Sequence, residues 1–204
     1  MTRSFDAALR KPSLSLAALM LGAGLMTGAS ATAQAADAYS IDAAHTNILF
    51  EIDHLGFSTF IGEFTAFDGA IQFDADDPAK SSVEFTIEIS GVSTDVPKLD
   101  EHLIGPDFFD AAQFPTATFK STAIEVTGEN TGKITGDLTM KGVTKPVTLD
   151  ATLNGAGKHP FADVYVAGFS AETVIKRSDW GVSAYSPAVG EEVTLIIELE
   201  GHKQ

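Results

Sequence analysis

From Ser82 to Ser90, apolar and polar side chains alternate without a slip, with Val83, Phe85, Ile87 and Ile89 on one side and Ser82, Glu84, Thr86, Glu88 and Ser90 on the other. A period of two is that of a β-strand with one dry face and one wet face, and a helix cannot produce it. The pattern recurs in Val147, Leu149, Ala151 and Leu153, and again in Val193, Leu195, Ile197 and Leu199. Repeated strands of this kind build an antiparallel sheet with a single apolar face. That face has to close over a core, a ligand or a partner.

Taken in order, the chain reads as all-β with one helical interruption. Tyr39 to His54 is expected as a first strand, with Ile48, Phe50 and Ile52 on one face, broken by Leu55-Gly56. Phe60 to Phe67 and Gly69 to Asp74 follow, and the dipeptide Asp68-Gly69 between them predicts a hairpin turn because both positions tolerate positive φ. Asp76-Asp77-Pro78 turns the chain into the strand at Ser82. A short helix is predicted next: Thr94 or Asp95 caps it, Pro97 suits its first turn, Asp100 and Glu101 favour its dipole, and Leu99 and Leu103 share a face. Gly105-Pro106 stops it, and Asp107 to Asp110 forms a second short turn. Thr116 to Ile124, Lys133 to Met140, Pro146 to Asn154, Tyr165 to Lys176 and Glu191 to Glu200 are the remaining strands.

About eight strands joined by short turns predict an antiparallel up-and-down β-barrel, since a Greek-key sandwich needs longer crossings. The helical insert is long enough to cap one end. A barrel of this strand number has an interior that is either filled by side chains or able to hold one small ligand. Periodicity leaves both outcomes open.

The N-terminus is set aside from the fold. Arg3, Arg10 and Lys11 precede an uncharged run from Leu14 to Met26, and Ala33-Gln34-Ala35 offers a small-x-small cleavage site. These are the three parts of a secretory signal peptide. The run is short of the roughly 20 apolar residues of a membrane span, and there is neither an arginine pair for twin-arginine export nor a Cys for a lipid anchor. The expectation is a Sec-type leader over residues 1–35 and one domain over 36–204, placed in the periplasm and not inserted in the membrane. The leader holds three cations and one anion, Asp6, so losing its net two positive charges takes the remainder from −15 to −17. Such a surface repels nucleic acid, and the absence of Cys removes disulfides and thiolate chemistry.

Motifs for catalysis are missing. His45 and His54 are nine apart, so on one continuous strand they project to opposite faces and cannot share an ion, while His159 and His202 lie in a loop and near the C-terminus. No HExxH pair, Gly-x-Ser-x-Gly elbow, P-loop or dinucleotide fingerprint occurs. The expectation is therefore no metal, no cofactor and no enzymatic activity. Two polar clusters stand out: Asp100-Glu101-His102-Leu103 on the insert, and Lys176-Arg177-Ser178-Asp179-Trp180-Gly181 at the end of a long strand. The second reads either as a surface Arg177–Asp179 pair with Trp180 plugging the barrel end, or as a contact for a ligand's polar head.

A series of motifs then resembles the YceI-like family in order and spacing over nearly the whole chain after the leader. It comprises Asp42 to Asn47, His54 to Ser58, Gly62-Glu63-Phe64 with Phe67-Asp68-Gly69, Asp100 to Leu103 with Asp107 to Asp110, Gly136 to Val147, and Arg177 to Gly181. The resemblance implies a small, periplasmic or secreted, lipocalin-like barrel whose apolar channel holds a polyisoprenoid or similar amphiphile. It carries over no catalytic residue. One departure is Leu99, where the family often has Arg before Asp-Glu-His-Leu.

With that resemblance the expected function is a carrier for an isoprenoid lipid or isoprenoid quinone. Phe50, Ile52, Phe64, Phe85, Ile87, Phe119, Leu138, Phe169 and Leu195 are the candidate channel lining, with Ala117, Ser121 and Gly136 leaving it open. His102, Arg177, Asp179 and Trp180 are the candidates for its mouth. The alternatives are a lipid-modifying enzyme using His102 or Asp179 for proton transfer, and a filled barrel acting as a protein-interaction module. A homodimer is left open.

Overall fold

Ser82 to Glu88 forms a strand at the centre of one wall of an antiparallel barrel, and Phe85 and Ile87 point inward from it. The computed structural model describes residues 36–204; the expected leader lies outside the described residues. Eleven strands and one helix follow in order: β1 (Asp37–Ile41), β2 (Asn47–His54), β3 (Ser58–Phe64), β4 (Phe67–Phe73), β5 (Ser82–Glu88), β6 (Val92–Ser93), α1 (Pro97–Leu103), β7 (Thr116–Val126), β8 (Thr131–Met140), β9 (Val143–Lys158), β10 (Tyr165–Lys176) and β11 (Val189–Lys203).

Eight of these close a barrel in the order β1-β4-β5-β7-β8-β9-β10-β11, with β11 returning to β1. From β7 to β11 each strand pairs with the next in sequence, which is the up-and-down pattern. The closing edge is shared. β2 pairs with β11 from Val189 to Glu198, and β1 pairs with it from Gly201 to Lys203. The expected single strand from Tyr39 to His54 is thus two strands broken by the Asp42 to Thr46 turn. The premise that His45 and His54 sit on one strand falls with it.

A second departure concerns Asp68-Gly69. This dipeptide lies inside β4, and β3 and β4 pair with other strands. Gly69 faces Phe85 across the sheet, and a Cβ there would meet the Phe85 ring at 3.0 Å and the Glu84 carbonyl at 2.7 Å. The missing side chain serves close approach of two strands rather than a turn. No reversal separates the two: β3 and β4 run in the same direction, and the chain only bends at Thr65-Ala66, where Thr65 N–H donates to the Gly91 carbonyl and Glu88 N–H to the Ala66 carbonyl.

The helical insert forms with a different cap. The N-cap residue is Val96, whose N–H donates to the Thr94 hydroxyl at 3.4 Å, while the Thr94 N–H and hydroxyl both donate to Asp100 Oδ1, at 2.8 and 2.6 Å, so the first-turn carboxylate reaches back to hold the entering chain. That anchor turns Leu99 and Leu103 toward the barrel.

The interior is divided. At the end where β1 meets β11, Tyr39, Ile71, Phe73, Ala167 and Leu199 are buried together. Phe73 makes edge-on contacts with Phe169 at 5.4 Å and Tyr39 at 6.3 Å. The other half, beneath α1, is hollow.

Candidate cavity and its mouth

The hollow half is a cavity of about 590 Å³ with an almost wholly apolar wall. Its wall follows from the alternation: β2 contributes Ile48, Phe50 and Ile52, β5 Phe85 and Ile87, β7 Ala117 and Phe119, β9 Val147 and Leu149, and β11 Val193, Leu195 and Ile197. Phe64, Leu138, Met140 and Ile175 complete the middle, and Leu99, Leu103, Phe108 and Phe109 form the roof. An interior of this kind is not the close-packed one that a filled barrel requires.

The cavity opens where lining residues are themselves exposed, at His54, Leu55, Tyr185 and Ala188. Most of its polar lining groups are there too. His102 projects from α1 with its ring edge-on to Phe108 at 5.0 Å and to Tyr185 at 5.9 Å, and its Nε2 stands 3.6 Å from Asp107 Oδ2. Thr173 is the polar lining side chain further in, opposite Leu195.

Two cations hold this rim by its main chain. Lys141 Nζ donates to the Phe108 carbonyl at 2.5 Å, with the Pro106 and Gly181 carbonyls at 3.3 and 3.4 Å, which ties the β8–β9 turn to the loop after α1. Arg177 is only 4% exposed and donates to the carbonyls of Gly190, Val182 and Val189 at 2.7, 2.9 and 3.0 Å. Burial lowers its pKa from the ordinary arginine value, and the neighbouring Glu191 opposes that shift. Hydrogen bonding from Ser178, then from Ser186, together with the Arg177 charge, holds the Glu191 carboxyl below the usual range.

Placed against the sequence candidates, Phe50, Ile52, Phe64, Phe85, Ile87, Phe119, Leu138, Leu195 and His102 all border the cavity. Four others need correction. Phe169 belongs to the packed end, against Phe73. Asp179 forms no pair with Arg177; it accepts from Lys145 at 2.9 Å on the outer surface. Trp180 is 3% exposed and lies behind the wall, its indole N–H donating to the Leu138 carbonyl at 3.1 Å. Arg177 touches the cavity, but its guanidinium is spent on three carbonyls rather than offered at the mouth.

The three small residues also divide. Ala117 borders the cavity, while the Ser121 hydroxyl accepts from the Val83 N–H, and Gly136 lies under the Phe119 ring, which occupies the space a Cβ would need. Tyr185 and Ala188 escaped the sequence reading because they sit in a Ser- and Pro-containing loop with no period, and Val189 because a register shift separates it from the alternating row that begins at Val193. Ile175 and Leu149 could have been found, since each lies in register with an alternating row.

Fold and cavity together define the class: a lipocalin-like antiparallel barrel with an internal apolar pocket open at one end. The chain belongs to the YceI-like domain family, whose model matches residues 39–201. A UPF0312 protein of Azotobacter vinelandii is 41% identical over 191 residues, covering 93% of this chain and 97% of that one. Among solved structures, Burkholderia cenocepacia BcnA superposes with a TM-score of 0.72 at 27% identity, over 78% of this chain and 98% of its own. A polyisoprenoid binding domain from Saccharophagus degradans, implicated in plant cell wall breakdown, superposes with a TM-score of 0.63 at 14% identity. It covers 82% of this chain and 99% of its own, and shares the fold.

Proposed function

We propose that this protein is a periplasmic carrier that holds the tail of a long isoprenoid lipid, of the polyprenyl or quinone type, in the barrel cavity. One observation carries the reading: the wall is apolar nearly throughout, and the polar side chains His54, His102 and Tyr185 gather at the opening. That polarity gradient fits an amphiphile whose tail lies inside and whose head stays at the rim. The polyisoprenoid binding of the Saccharophagus domain supports the same choice of ligand. The N-terminal pattern of residues 1–35 supports export.

The energetics need no special polar contact. Each buried methylene is worth about 0.8 kcal/mol, so a few isoprene units contribute on the order of 10 kcal/mol before the cost of ordering the tail is subtracted. Retention rather than conversion is the natural output of such a site.

The test is solvent extraction of protein purified from the periplasmic fraction, followed by mass spectrometry of both the extract and the intact chain. An isoprenoid at close to one per chain, and a chain lacking its leader, are expected. A lipid-free extract with no uptake of added ubiquinone or polyprenyl phosphate overturns the carrier reading. A chain that keeps its first 35 residues in the cytoplasm overturns the location.

A further inference from the structure

On the outer wall, away from the cavity, three side chains from the two ends of the domain converge, with a fourth beside them. The turn between β1 and β2 supplies Asp42 and His45, and the last strand supplies Glu200 and His202, two residues apart and so on one face of β11. Asp42 Oδ2 stands 2.7 Å from His45 Nδ1 and 3.3 Å from His202 Nε2. One ligand atom each of Asp42, His45 and Glu200 lies within 4.8 Å of the others; His202, beside Asp42, stands outside that set and has to turn inward to complete it. The main chain holds the two segments in place, with Asp42 N–H on the Glu200 carbonyl at 2.9 Å and Glu200 N–H on the Thr46 hydroxyl at 3.3 Å. The remaining Asp42 oxygen accepts the Ala44 N–H at 3.0 Å, which fixes the rotation of the carboxylate.

We propose that Asp42, His45, Glu200 and His202 form a binding site for a divalent cation of the zinc class. Two imidazole nitrogens and two carboxylate oxygens suit zinc and its borderline neighbours better than magnesium or calcium, which favour oxygen alone. Their charges also balance, since two carboxylates neutralise one divalent ion. In a tetrahedral site with bonds of about 2.0–2.2 Å, ligand atoms stand roughly 3.3–3.6 Å apart. The Asp42–His202 separation already meets that spacing. The Asp42–His45 pair has to open by something under 1 Å, and His45, with a side chain 64% exposed, is free to make that adjustment.

The site has a mechanical consequence. β1 meets β11 through only three residue pairs, Tyr39 with Lys203, Ser40 with His202 and Ile41 with Gly201. A metal bound here cross-links the turn that leaves β1 to the strand that closes the barrel. It acts as a clamp on the seam, independent of whatever the cavity holds.

The experiment is calorimetric titration of the tag-free, chelator-treated protein with Zn²⁺, with a thermal melt at each end-point. One Zn²⁺ per chain and a rise in Tm are expected. His45→Gln with His202→Gln, which can still hydrogen-bond to Asp42 but ligates poorly, is expected to lose at least tenfold in zinc affinity and the Tm rise, with far-UV circular dichroism unchanged. His159→Ala, remote from the cluster, is expected to bind as the parent does. Failure to saturate overturns the proposal, as does zinc binding that survives the double Gln variant or is lost equally in His159→Ala. Equal binding of Mg²⁺ also overturns it, since the imidazoles would then play no part.

Discussion

The indole N–H of Trp180 donates to the main-chain carbonyl of Leu138 at 3.1 Å, joining the turn after β10 to the strand whose Leu138 side chain faces the cavity. Trp180 therefore sets the position of a wall residue without touching the cavity. Trp180→Phe keeps a ring but removes the indole hydrogen bond, while the Leu138 carbonyl keeps its place in the β8–β9 ladder, at a cost of about 1 kcal/mol. For a domain of this size Tm is expected to fall by roughly 2–4 °C, checked by thermal melting followed by circular dichroism.

Arg177 is a framework residue, and its three carbonyl partners make that testable. A lysine carries the charge but cannot span three acceptors with a planar fork. Arg177→Lys is expected to destabilise the fold by about 2–4 kcal/mol in urea titration, because charged hydrogen bonds are lost in a buried site. A head-group role predicts the opposite: unchanged stability with weakened lipid binding.

Filling the cavity separates binding from folding. Ala117 lies beside Ile87 on the adjacent strand of the same wall and borders the cavity. Ala117→Phe projects a ring into the void and is expected to reduce lipid retention at least about tenfold while leaving Tm within a few degrees. The lipid content of matched extracts from the two proteins, alongside their melting curves, reads out both effects.

Acid is expected to loosen the rim. Glu191 accepts from Ser178 N–H at 3.1 Å and from the Ser186 hydroxyl at 3.0 Å, which holds the loop carrying Tyr185. Its pKa is lowered in the folded protein, so its contribution to stability is complete above the unfolded value of about 4.3 and is lost as pH falls through the lower folded value. The fluorescence of the single tryptophan, two residues from Ser178, is expected to change below about pH 4. Glu191→Gln, which does not titrate, is expected to lack that change; an identical transition in the variant would place its cause elsewhere.

Much was legible before any coordinates. The alternating rows of β5, β9 and β11 each read as a strand with an inward face, because a period of two is a property of the local backbone and needs no neighbour to define it. The helix over Pro97 to Leu103 was equally local. So were the lining residues Phe50, Phe85, Phe119 and Leu195, which follow once a row is assigned to the inside.

What tertiary structure alone decided is how far apart those inward rows stand, and what each special residue faces. Phe169 belongs to the same inward pattern as Leu195, yet one packs on Phe73 and the other borders empty space, because the barrel is filled at one end and hollow at the other. Asp68-Gly69 has the composition of a turn, but Phe85 across the sheet uses the missing Cβ. Arg177 and Asp179 are two apart in sequence, yet one is buried among carbonyls and the other pairs outward with Lys145. Asp42 and His202 lie 160 residues apart, and no local pattern brings them within 3.3 Å. Alternation is set by bonds along one chain, whereas a void, a buried cation or a cluster is set by contacts between segments that only closure of the barrel brings together.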